Sequence, residues 1–261
     1  IGMQTDMTVG KPMKMILDFT IPVFIGNVFQ QFYNMADAII VGKFVGTKGL
    51  AAVGATGTIM FLIIGFLMGL TAGFTVLTSQ KFGAGKMDEM RQSVGNAALL
   101  SVAISVIMTV GSMVGMRALL TLMHTPEDIF QDSYTYIMII CGGIFAQVLY
   151  NILASILRAL GNSKTPLYFL ILAALLNVAL DLLFIIVFHM GVAGAAWATI
   201  TAQGVSGLLC LVYIIKCVPE LRLKREDWKF RPQIAKNEIV VGIPMGLQFS
   251  ITAIGTMMVQ S

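Results

Sequence analysis

Apolar residues run along this chain in long blocks, separated by short polar connections. Six blocks are complete, at roughly 16–41, 50–79, 94–118, 131–157, 166–188 and 193–217, and a seventh begins near 238 and is still running at Ser261. A helix needs about 20 apolar residues to cross ~30 Å of hydrocarbon, and each block is long enough. The pattern therefore predicts an all-α integral membrane protein with six complete spans and most of a seventh. Composition agrees, with 57% hydrophobic and only 11% charged residues, against the roughly 25% charged residues of soluble domains. Mean hydropathy is +0.86. The first block is too long for a cleavable signal peptide and lacks a small-residue cleavage site. The open seventh block and the Ile at position 1 lead us to expect one part of a longer protein.

Lysine and arginine set the orientation. If the N-terminus is cytoplasmic, 14 of the 17 basic residues fall on the inside and only Lys43, Lys48 and Arg117 on the outside. That asymmetry predicts a multi-pass protein of the plasma or inner membrane with its N-terminus in the cytoplasm. The formal net charge of +4 then reports topology and not nucleic-acid binding. Three cysteines without metal spacing (Cys141, Cys210, Cys217) and two histidines (His124, His189) give a metalloenzyme little to build on.

The long inside connection, about 217–237, carries Pro219, Pro232, Trp228 and charges of both signs. It reads as a solvated linker pressed against lipid headgroups. Beyond it the chain resembles its own beginning, because Thr20-Ile21-Pro22 opens the first span and Gly242-Ile243-Pro244 opens the seventh. Such internal repeats mark transporters whose cavity lies between two halves. The expected organisation is a six-helix lobe over 1–217, a cytoplasmic linker over 218–237 and the start of a second lobe over 238–261. Pro22 withholds a donor from the Asp18 carbonyl, so a kink or hinge is expected in the first helix.

Two acids lie deep within spans, Asp37 in the first and Asp181 in the fifth. An ionised carboxylate there costs at least ~2.5–3.5 kcal/mol, which makes each a functional candidate. Most other acids, Asp227 and Glu238 among them, read as members of polar connections. Asn177 lies one turn before Asp181, and Thr199 and Gln203 repeat that spacing on the sixth span. By depth, Asp37, Asn177, Asp181, Thr199 and Tyr136 should converge in the outer half of the bundle. Their oxygens suit a hard cation or a proton shared between the two acids. An inert hydrogen-bonded network that glues helices together is the structural alternative.

Several turns read as purely structural. Gly83 and Gly85 suit a helix stop and turn before Asp88 and Glu89, and the rest of a phosphate-binding loop is missing. Gly161 can end a helix, Thr165 can cap the next, and Pro166 fits its first position.

Taken in order, these residues resemble the N-terminal half of a multidrug and toxic compound extrusion (MATE) transporter, closest to the DinF-like and MepA-like bacterial branch. The resemblance rests on Pro22 and Asp37 followed by Gly42, Gly46 and Leu50-Ala51-Ala52. It continues through Ser79-Gln80, Arg158-Ala159-Leu160-Gly161, Leu176-Asn177-Val178-Ala179-Leu180-Asp181 and Gly194-Ala195-Ala196-Trp197-Ala198-Thr199. It implies the six-helix lobe of a twelve-helix transporter, with Asp37, Asn177, Asp181 and Thr199 binding H+ or Na+. Tyr136 and Asn151 resemble members of that polar network. Gln30 resembles a cavity position that meets substrate, and Asn34, Met35 and Asn151 join it as substrate-cavity candidates.

The expected activity is efflux of cationic or amphipathic drug-like molecules by antiport with H+ or Na+, without an organic cofactor or catalysis. Membrane lipids and the absent C-terminal lobe are the expected partners. A flippase for a lipid-linked precursor is the rival within transport, although none of the basic residues is clearly at mid-depth. An intramembrane aspartyl protease would also need two membrane aspartates, but the Gly-x-Gly-Asp element is absent. A passive channel would show no ion dependence.

Overall fold

The computed structural model describes residues 12–260 with the exception of Lys224. Among these residues there are nine α-helices and no strand. They are α1 (Pro12–Phe44), α2 (Thr47–Phe74), α3 (Val76–Gly83), α4 (Met87–Leu122), α5 (Glu127–Gly142), α6 (Ile144–Ala159), α7 (Lys164–Leu182), α8 (Val192–Cys217) and α9 (Pro232–Gln260). The nine helices map onto the seven apolar blocks because two blocks are broken in the middle. Leu62–Gly83, Met87–Leu122, Lys164–Val187 and Val192–Cys217 are each long and apolar enough to cross a membrane, and α5 with α6 makes a fifth such unit. The last helix begins at Pro232, earlier than the hydropathy pattern places it.

Two breaks and one loosened turn interrupt the regular helices. α2 gives way to α3 at Thr75, whose hydroxyl donates to the Ala72 carbonyl at 2.9 Å and to the Thr71 carbonyl at 3.3 Å. Thr56 and Thr71 make the same kind of bond within unbroken α2, so these bonds alone do not break the helix. The bend of 46° between α5 and α6 falls at Gly142-Gly143, and the Ile200 side chain of α8 occupies the space a Gly143 side chain would need. After Asp181 and Leu182, α7 loosens into a π-helical turn over Leu183–Val187. By contrast, α1 runs unbroken through Pro22.

The turns behave as their residues dictate except at the start of α7, which begins at Lys164, so that Pro166 is its third residue and not its first. Gly85 (φ +76°) and Gly161 (φ +83°) take left-handed conformations that favour glycine. Asp88 and Glu89 fall in the first turn of α4. Lys81 Nζ lies 3.0 Å from Glu89 Oε2, and its hydrogen bond and charge hold that carboxyl below the usual range. The expected cap at Thr165 is instead supplied by Asn162, whose Oδ1 accepts the Thr165 N–H at 3.1 Å while its Nδ2 donates to Thr165 Oγ1 at 3.0 Å. A carboxamide can serve both groups at once, which a hydroxyl on α7 itself cannot. Ser163, beside it, donates to the Phe19 carbonyl at 2.7 Å and ties this turn to the base of α1.

Two large apolar clusters, with a smaller one around Tyr150 and Leu170, fill the bundle. One, toward the end opposite the basic residues, centres on Val41, Leu67, Tyr136 and Ile137. The other, toward the basic end, centres on Phe74, Met90, Leu157 and Val218. Lipid is as apolar as leucine, so close approach of backbones must hold such helices together. The tightest approach joins α2 to α9, which run antiparallel. Gly65, Gly69 and Gly73 of α2 lie against Phe249, Met245 and Gly242 of α9 respectively, with no room for a Cβ at Gly69 or Gly73. Ser250 Oγ closes the far end of this seam with a 2.9 Å bond to the Leu62 carbonyl.

The connection after α8 folds back onto the lobe, which a purely solvated linker would not do. Asn96 of α4, fully buried, accepts the Arg231 N–H at 2.9 Å and donates to the Lys229 carbonyl at 3.3 Å. Arg91 Nε donates to the Glu220 carbonyl at 3.0 Å, and the Asp227 backbone rests directly on Gly95. Among the described residues, Asp227 and Glu238 are both buried, contrary to their reading as polar-connection residues. The α4 contacts cover Asp227. Glu238 lies one turn before Gly242 on the stripe continued by Gly246 and Ser250, so its burial follows from the α2–α9 seam.

Candidate ion-coupling site

Asp37, Asp181 and Thr199 each lie six or seven residues in from the same end of the bundle, about 10 Å along a helix. α1 packs along α7, and α7 along α8, so the three levels meet. The Asp37 and Asp181 carboxyl groups are direct neighbours. Asn177 Nδ2 donates to Thr199 Oγ1 at 3.5 Å, and Thr199 Oγ1 in turn donates to the Ala195 carbonyl at 3.0 Å.

The polar atoms left over define what the site lacks. Asp37 Oδ1, both carboxyl oxygens of Asp181, Asn177 Oδ1 and Gln203 Oε1 are all buried and make no hydrogen bond to another part of the protein. Asp181 is completely buried, and Asn177, Thr199 and Gln203 nearly so. Orphaned buried acceptors are rare, because each forfeits its hydration without return. Here five acceptor atoms on four residues face the same shortage, and every one is an oxygen. Such an arrangement can hold a proton shared between the carboxyls or a hard cation among the oxygens.

The remaining candidates are more dispersed. The buried Tyr136 hydroxyl donates to Met60 Sδ at 3.7 Å. Asn151 is half-buried on α6, and Met35 is 63% exposed on α1. Pro22 is buried near the basic end of α1. The side chains of Gln30 and Asn34 lie outside the described residues. Gln203 joins the unpartnered set although only its helical spacing from Thr199 pointed to it. Glu238 was missed altogether. It is 1% exposed with neither carboxyl oxygen partnered, and the repeat of four from Glu238 through Gly242 and Gly246 to Ser250 was its available signal.

The chain is similar in sequence and fold to known proteins. A probable multidrug resistance protein of Bacillus subtilis, YpnP, is 34% identical over 98% of this chain and 57% of its own length. A probable multidrug resistance protein of Thermotoga maritima, NorM, is 25% identical over 94% of this chain and 53% of its own. A solved structure described as the outward-facing conformation of a multidrug resistance MATE family transporter superposes with a TM-score of 0.86 at 28% identity. It covers 92% of this chain and 53% of that one. The chain thus spans about half the length of the curated relatives it matches. Residues 22–183, which hold both aspartates and the α2 face of the glycine seam, match the MatE family. The chain belongs to the MatE family of membrane transporters.

Proposed function

We propose that this chain is the N-terminal lobe, with the linker and first helix of the second lobe, of a secondary active exporter. In this reading residues 1–217 form the six-span lobe, 218–237 the inter-lobe linker and 238–261 the start of the second lobe. The N-terminus and the basic end face the cytoplasm of a plasma membrane, following the charge asymmetry. The cargo is a small amphipathic or cationic molecule, held between lobes near Gln30, Asn34, Met35 and Asn151. Pro22 gives α1 a place to bend.

The observation that carries the reading is the adjacent, unpartnered pair of acids. Two neighbouring carboxylates away from water repel each other, and one proton between them removes the repulsion and provides a donor. Binding that proton from outside would draw α1 onto α7, and its release inside would let α1 return. Cargo and proton then exclude each other, which is the requirement for antiport. Sodium is the second reading, favoured by the unpartnered oxygens of Asn177 and Gln203 on α7 and α8, which could replace part of its hydration shell.

The expected result in proteoliposomes of the full-length protein is that an inward pH gradient without sodium drives substrate movement. Movement driven by a sodium gradient alone, with no response to pH, would favour the sodium reading.

A further inference from the structure

The folded-back linker encloses space. Leu221 and Leu223 roof a cavity of about 350 Å³ at the basic ends of α4, α6 and α8, within the ~300–1,000 Å³ range of ligand pockets. Its walls are aliphatic, formed by Val94 and Ala98 of α4, Ile156 of α6, and Leu211 and Ile215 of α8. Val94, Ile156 and the Leu221 roof are buried, whereas Ile215 is 60% and Trp228 47% exposed. The slot therefore runs from the protein interior out to the lipid-facing side of α8. Arg222 and Trp228 belong to the same lining. Arg222 is exposed and makes no ion pair among the described residues. The roof is fixed from both sides by the bonds of Arg91 to Glu220 and of Asn96 to Lys229 and Arg231, so the cavity is preformed.

An apolar slot with an indole and an unpaired guanidinium, placed where a spanning helix ends, matches the two halves of a phospholipid. Tryptophan favours the headgroup level, and guanidinium pairs with phosphate through parallel donors. Between 216 and 236 the sequence holds seven basic residues against Glu220, Glu226 and Asp227, an excess that attracts anionic headgroups. The same charge disfavours a cationic cargo. We propose that this cavity binds one anionic phospholipid of the leaflet at the basic end, with an acyl chain in the slot and its phosphate at Arg222. Such a lipid would pin the linker to the first lobe and make the connection between lobes sensitive to membrane composition. This site is independent of the acid pair and of the coupling ion.

The test is native mass spectrometry of the full-length protein, delipidated and titrated with phosphatidylglycerol or with phosphatidylcholine of the same acyl chains. Phosphatidylglycerol should bind more tightly, and Arg222→Gln should weaken it by about fivefold, the worth of one basic residue at an anionic surface. Arg222→Lys should keep the preference. Ala98→Phe, which fills the slot, should weaken both lipids. Equal binding of the two lipids by the unaltered protein, or an unchanged preference in Arg222→Gln, would overturn the proposal; the latter variant is at an exposed site and leaves the core intact.

Discussion

Replacing Asp181 with asparagine should stop ion-driven accumulation or export while leaving the protein folded in the membrane. The side chain keeps its shape, and the introduced carboxamide can donate to Asp37, which has an unpartnered oxygen. The fold therefore loses little, but the exchangeable proton or bound cation is gone. Once binding of the ion no longer changes the affinity for cargo, the ion gradient cannot hold cargo uphill, and the substrate gradient sustained by the transporter should collapse. Asp37→Asn should do the same, and the double variant should be no worse than either single one, as for residues acting as a unit. The measurement is uphill transport of a fluorescent cation in vesicles, normalised to the amount of membrane protein. Unimpaired transport in either single variant would reduce the pair to structural glue.

The second large effect is expected at the α2–α9 seam. A Cβ at Gly69 would strike the Met245 carbonyl and lie 2.7 Å from Gly246 Cα, both backbone atoms that no rotamer change can move. Gly69→Ala should push the two helices apart and destabilise the protein by about 1–3 kcal/mol, the usual cost of overpacking. Gly111→Ala on α4 is the matched control, because nothing lies within 4 Å of its Cβ position. There the same change should be neutral or stabilise by about 0.4–1 kcal/mol. Thermal unfolding in detergent should therefore fall to a lower temperature for Gly69→Ala and stay unchanged or rise for Gly111→Ala. A seam that tolerates Gly69→Ala as well as α4 tolerates Gly111→Ala would not be the contact that joins α9 to the first lobe.

Much of this molecule was legible in its sequence because lipid makes strict demands. Every spanning segment must be helical and apolar, so hydropathy alone located all seven blocks. The same rule made Asp37 and Asp181 conspicuous, and helical spacing aligned Asn177 with Asp181. The breaks were less visible. Neither Gly142-Gly143 nor Thr75 interrupts the apolar pattern, and the bend at the first follows from its packing against Ile200. The π-helical turn after Asp181 has no compositional mark at all. Glu238 was hidden by its neighbours, since Lys236 and Asn237 make its surroundings look polar. Only the pairing of α9 with α2, a tertiary fact, buries it. The linker was misjudged for a related reason: its charges suggested water, while Asn96 and Gly95 of a different helix provide its seat.

The central claim is that cargo and the ion held by Asp37 and Asp181 compete, and for a proton this can be read without any transport step. Purified full-length protein in weakly buffered detergent solution should release about one proton when it binds a cationic substrate such as ethidium, as linkage requires of mutually exclusive ligands. Asp37→Asn and Asp181→Asn should bind the substrate and release none. Proton release of equal size in those variants, or none from the unaltered protein under sodium-free conditions, would contradict the account.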